Sequence, residues 1–210
     1  MGIFRRINSK NIRCVGRSFL KHDYIEVCSV PAIMNRDLTL ERMEEQQRWC
    51  DTIGYLETQW RQNPCLEHLL RVFSQAWFLM SYVEQLPPYK EHFESIKLPT
   101  QWPNEWLLCI QQAKTIGDLK YGDNPVYAAV SGHMMAVHPE WFVSMSYDLG
   151  NALQEGLNRL HAAQKAIPAL YVFSLDVKKS PVKPYFAEQL FPGYSEVDLY
   201  FKCNMTGRRK

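Results

Sequence analysis

The chain has 210 residues, with 24 Lys plus Arg against 22 Asp plus Glu and a net charge of +2. That length holds one domain with a real core, and the near-neutral balance predicts no partner by itself. Eleven Tyr, ten Phe and six Trp argue against disorder, because aromatic rings bury the most area per residue.

The charge is unevenly placed. Arg5, Arg6, Lys10, Arg13, Arg17 and Lys21 precede the first acid, Asp23, and the chain ends in Arg208, Arg209 and Lys210. No apolar run reaches the roughly 18 to 20 residues that span a bilayer, so no membrane span is expected. The N-terminal stretch lacks the apolar segment of a secretory signal. Its Arg-rich, acid-free start faintly matches a transit peptide, but the alternation from Asn11 to Leu20 reads as strand. Arg6 stands where a myristoylation signal needs Ser or Thr. The six cysteines, at 14, 28, 50, 65, 109 and 203, form no C-x-x-C pair. They read as reduced, buried thiols of a cytoplasmic protein.

In chain order, residues 11–30 read as a β-hairpin, with Val15 and Phe19 on one strand, Ile25 and Val27 on the other and Cys14 across from Cys28. Pro31 opens a connector. Thr39 is the expected N-cap of a first helix that carries Leu40, Met43, Cys50, Ile53, Leu56 and Trp60 on one face. Asn63-Pro64 marks its end and a new start. The next helix, Leu66 to Leu86, is apolar around most of its surface and is expected at the centre of the core. Pro87-Pro88 stops it, and a short polar helix is expected at 88–96. Pro103 opens a helix with Trp106, Leu107, Ile110 and Ala113, which Gly117 is expected to end. Asn124-Pro125 starts a helix to Val137 whose Ala128, Ala129, Ser131 and Gly132 allow close approach. Pro139 is expected to open the longest helix, ending before Pro168, with Leu149, Ala152, Leu153, Leu157, Leu160 and Ala163 on its core face. Leu170–Val177 and Val197–Cys203 read as strands from their β-branched and aromatic residues.

The expected fold class is therefore α+β. Five or six helices pack with a small antiparallel sheet built from the N-terminal hairpin and the C-terminal strands. A single domain is expected over 1–210: hairpin and connector at 1–36, helical core at 37–167, strands and basic tail at 168–210.

Chemistry is sparse. The first residues to inspect for acid–base or metal work are His133, His138 and Glu140, since zinc takes imidazole and carboxylate ligands. Their H-x-x-x-x-H spacing does not put both rings on one helical face, so packing and capping roles are the plainer reading. Cys65 and His68 lie three apart with no second pair to complete a zinc site. Asp118, Gly122, Asp123 and Asn124 resemble a calcium loop only in composition and read better as a turn and a cap. No nucleophile elbow, phosphate loop or dinucleotide fingerprint occurs. No catalytic residue, metal or cofactor is assigned.

Two further sets concern partners. Arg5, Arg6, Arg13, Arg17, Lys178 and Lys179 are the candidate nucleic-acid contacts, should the ends of the chain merge into one basic patch. Trp102 and Trp106, between prolines, are candidate interface anchors, weighed against core packing. The leading expectation is a non-enzymatic helical interaction subunit or adaptor of a larger intracellular assembly, bound to a protein partner or to itself. The alternative is a nucleic-acid-binding accessory protein using its basic ends. The third is an enzyme with a dispersed site near His133, His138 and Glu140.

Overall fold

A computed structural model describes residues 32–84, 104–146, 148–173 and 188–206. Its helices are α1 (Leu38–Glu45), α2 (Trp49–Gln62), α3 (Leu66–Glu84), α4 (Asn104–Tyr121), α5 (Pro125–Val137), α6 (Val143–Ser146), α7 (Leu149–Ala166) and α8 (Glu196–Thr206). Two 3-10 segments, Pro139–Phe142 and Pro168–Phe173, join them.

Helix α3 is the axis of the fold. Every residue from Leu69 to Ser81 is buried, as expected for a helix apolar nearly all round. Its 19 residues make a rod of about 28 Å. Helices α2, α4, α5 and α8 all touch it, and α7 packs on the outer side of α5. Phe73, Ala76, Trp77 and Met80 meet Ile110, Tyr127, Val130 and Phe142 in one continuous core.

Local sequence sets the helix starts. Asn124 accepts from the backbone N–H of Val126 and Tyr127 ahead of Pro125, the cap the Asn-Pro pair implies. Asp148 caps α7 by accepting from the N–H of Asn151. Asp37, not Thr39, caps α1, accepting from the N–H of Thr39 and Leu40. A carboxylate is as good a cap as a hydroxyl and carries charge that suits the helix N-terminus.

Several expectations are corrected. Among the described residues there is no strand, so the fold there is all-helical rather than α+β. The expected strand Val197–Cys203 lies inside α8. Ser195 caps that helix, its Oγ accepting from Asp198 N–H at 3.3 Å. Val197, Tyr200 and Phe201 recur at helical spacing on its inner side; a short apolar run does not by itself distinguish strand from helix. Leu170–Phe173, expected as strand, belong to a 3-10 segment, and 174–177 lie outside the described residues. So do the hairpin 11–30 and the short helix at 88–96.

Further corrections concern helix ends. The first expected helix is two, broken at Gln47, whose φ of 57° is left-handed. The long helix after Pro139 is broken into a 3-10 turn, α6 and α7. Gly117 does not end α4. It sits inside that helix, buried against the Tyr127 ring, which occupies the space a Cβ would need.

The early and late parts of the chain do meet, through side chains and loop backbone rather than a ladder. Ile33 N–H donates to Leu190 C=O at 2.8 Å. Glu41 Oε1 accepts from Tyr194 N–H at 2.7 Å, and Glu44 Oε2 from Glu196 N–H at 2.8 Å. Two acids one turn apart on α1 thus hold the turn that leads into α8.

Candidate functional site

Among the described residues, the chemistry-bearing side chains gather in four places. The first surrounds Trp77. The rings of His133, His138, Trp141 and Tyr200 all lie 5.2–6.4 Å from its centroid. The fold therefore does bring His133 and His138 to one aromatic cluster from opposite ends of a helix turn. His133 is fully engaged there. Its Nδ1–H donates to Phe173 C=O, since a carbonyl only accepts, and its Nε2 accepts from the Tyr200 hydroxyl, both at 3.1 Å. Burial lowers its pKa to about 4, so the ring is neutral and structural. His138 stacks on Trp141 at 4.1 Å and its Nδ1 pairs with Glu140 at 2.8 Å. Among the described residues, no group of three or more His, Cys, Asp or Glu is arranged to hold a metal.

The second is an ion network where α4, α5 and α7 meet. Asp118 receives Lys114 Nζ at 2.7 Å, Arg159 Nη1 at 2.7 Å and the Tyr127 hydroxyl at 2.7 Å. Glu155 takes Lys114 at 3.1 Å and Arg159 at 2.5 Å. Burial alone would raise the pKa of both acids, but their cationic partners outweigh it and hold them below the usual carboxylate range. Two acids and two bases close on each other, so the network joins three helices with its charges balanced. Asp118, read in the sequence as part of a turn, is its hub.

The third is the clasp on α8. Glu44 is buried and also accepts from Gln75 Nε2 at 2.9 Å. Burial, with the neighbouring Glu196 and Asp198 charges, raises its pKa to about 7 despite those hydrogen bonds. Glu41, by contrast, is held low: the Arg36 guanidinium and the Tyr194 N–H overcome the cost of burial. Lys202 Nζ donates to Gly193 C=O at 2.7 Å and closes the turn from the other side.

The fourth is a cavity of about 300 Å³ lined by residues of the connector, α2 and α3, with Arg71 on its wall. No sequence signal marked it, because its residues lie far apart in the chain.

The remaining sequence candidates fall as follows. Trp106 is buried, 5 % exposed, so it supplies core rather than an exposed anchor. Trp102 lies outside the described residues, as do Arg5, Arg6, Arg13, Arg17, Lys178 and Lys179. His68 Nδ1–H donates to Asn63 C=O at 2.8 Å, and Cys65 is a free thiol. The outer surface holds what the sequence reading placed inside. Leu149, Leu153 and Leu157 are 52, 37 and 38 % exposed, one per turn along the outer edge of α7. Comparison with protein-family models, with curated proteins and with solved structures finds no match.

Proposed function

We propose that the protein is a non-enzymatic helical interaction subunit of a larger assembly, and that α7 presents its binding edge. The observation that carries this reading is the Leu149, Leu153 and Leu157 stripe. Ala152, Gly156, Leu160 and Ala163 bind α7 to the body of the protein, so the leucine edge is held rigidly outward. Single exposed leucines need no explanation, but three on successive turns form a patch of the kind that partners cover. The polar clusters support the same reading: the Trp77 and Asp118 groups are engaged with one another in structural roles. Among the described residues, no helix is long and apolar enough to cross a membrane.

The test is the natively purified protein beside a Leu153→Glu, Leu157→Glu variant, by size exclusion with light scattering and by cross-linking. The reading expects a mass above the monomer, or a co-purifying protein cross-linked at Lys165 in the last turn of α7, that the variant loses without losing helicity. An unchanged complex in the folded variant overturns it. The nucleic-acid alternative rests on residues outside the described ones. An absorbance ratio at 260 and 280 nm that falls on high-salt washing would bring it forward.

A further inference from the structure

The cavity beside Arg71 has the makings of a small-molecule site. Its volume of about 300 Å³ sits at the lower end of ligand pockets, room for roughly ten waters. Asn35, Arg36, Asp37 and Leu38 form one wall; Leu56 and Gln59 of α2 form another; Glu67, His68 and Arg71 of α3 close it.

Most of these groups are already committed. Both oxygens of Glu67 accept from Asn35, at 2.7 and 2.8 Å. Arg36 grips Glu41 through Nε and Nη2 and lies over the Tyr194 ring. Arg71 is the exception. It is 5 % exposed, yet among the described residues its only carboxylate contact is Glu67 at 3.8 Å, beyond hydrogen-bond range. Its Nη2 has no hydrogen-bond partner. Asp198 feels its charge, with no hydrogen bond joining the two. A buried guanidinium with so little compensation is costly; Nη2 itself is closed off from the cavity, so a carboxylate there would reduce that cost through a charge-assisted hydrogen bond to one of the other guanidinium nitrogens.

The rest of the lining narrows the ligand. Among the described residues, Asp37 Oδ2 has only the longer half, 3.2 Å, of a bond shared with Oδ1 from the Tyr55 hydroxyl. Gln59 donates its amide N–H to Tyr55, which leaves its amide oxygen as an acceptor. These acceptors suit a ligand donor group. Two carboxylates on the lining, Asp37 and Glu67, also oppose a dianion such as phosphate.

We propose that this cavity binds a small monocarboxylate that also carries a hydrogen-bond donor, the amino-acid class, with Arg71 as the anchor for its carboxylate and Asp37 with Gln59 receiving the donor.

The experiment is a titration of the full chain followed by amide NMR, using L-alanine, L-serine and L-glutamine as probes, with acetate and inorganic phosphate beside them. Saturable shifts centred on residues 35–38, 59 and 67–71 are expected with at least one amino acid, and weaker ones with acetate. Arg71→Lys should weaken binding by about tenfold or more, the scale of one charge-assisted hydrogen bond. Should that variant misfold, Leu38→Trp decides. Leu38 is exposed at the cavity mouth, so the indole blocks entry without touching the core, and saturable binding should vanish. No saturable shift with any amino acid overturns the proposal. So does binding that survives Leu38→Trp, or acetate and phosphate binding as tightly as the amino acids.

Discussion

Gly132 on α5 and Gly156 on α7 face each other at the crossing of the two helices. A Cβ on Gly132 would lie 2.8 Å from Gly156 C=O, and one on Gly156 would lie 2.9 Å from Gly132 C=O. The backbones touch there, and that contact fixes α7 against the body. It follows that Gly156→Ala, although favoured by helix propensity, forces the helices apart. The expected net loss is about 1–3 kcal/mol, the range for overpacking, measured by urea unfolding. A variant as stable as the wild type would mean that the helices are not in contact at this point.

Tyr127 joins the same three-helix seam through its hydroxyl, whose single hydrogen is shared between Asp118 at 2.7 Å and Lys114 C=O at 3.0 Å. Tyr127→Phe removes that donor and leaves its buried acceptors short. A loss of about 1–3 kcal/mol is expected. Asp118→Asn should cost more, because Arg159 and Lys114 would then face each other with only Glu155 between them. Equal stability of both variants and the wild type would show the network to be ornamental.

The pH dependence has a sign at each site. Asp118 and Glu155 are held below their ordinary range, so their contribution is present above the unfolded carboxylate pKa and is lost as pH falls through the folded one. Glu44 works the other way. Its pKa rises from 4.5 to about 7, so the folded state holds the extra proton and stability declines as pH rises between those values. His133, lowered from 6.5 to about 4, opposes this over nearly the same window, because the unfolded ring takes the proton first. The two slopes mask each other in the wild type. Glu44→Gln removes one of them, so its stability relative to the wild type should grow as pH rises through that window. Thermal melts at a series of pH values read this directly, and a constant difference would refute the assignment.

Burial separates the thiols. Cys109 lies in the core, where burial pushes its pKa up to about 12, whereas Cys50, expected to be buried, is exposed, its pKa raised by partial desolvation and the neighbouring Asp51. Iodoacetamide should therefore alkylate Cys50 well before Cys109 in the native protein, with the order lost in denaturant. Peptide mass spectrometry on a time course checks it; early labelling of Cys109 would mean that α4 opens readily from α3.

Local pattern settled the helices whose apolar periods are long and whose ends carry chemistry. The apolar surface of α3, the Asn124-Pro125 start and the small residues of α5 each state a local preference that nothing in the fold opposes. It also placed His133 correctly as a packed ring. It misread α8, where Val197, Tyr200 and Phe201 satisfy a strand composition and a helical spacing at once. The short length left the choice to packing against α3 and to the Ser195 cap. Tertiary structure alone decided which leucines of α7 are core. The Gly132–Gly156 contact rotates the buried face toward Ala152, Gly156 and Ala163, and that rotation leaves Leu149, Leu153 and Leu157 outside. It also alone created the Asp118 network, the clasp on α8 and the cavity at Arg71. Each joins side chains many residues apart, and no local pattern records a meeting that the packing of separate helices brings about.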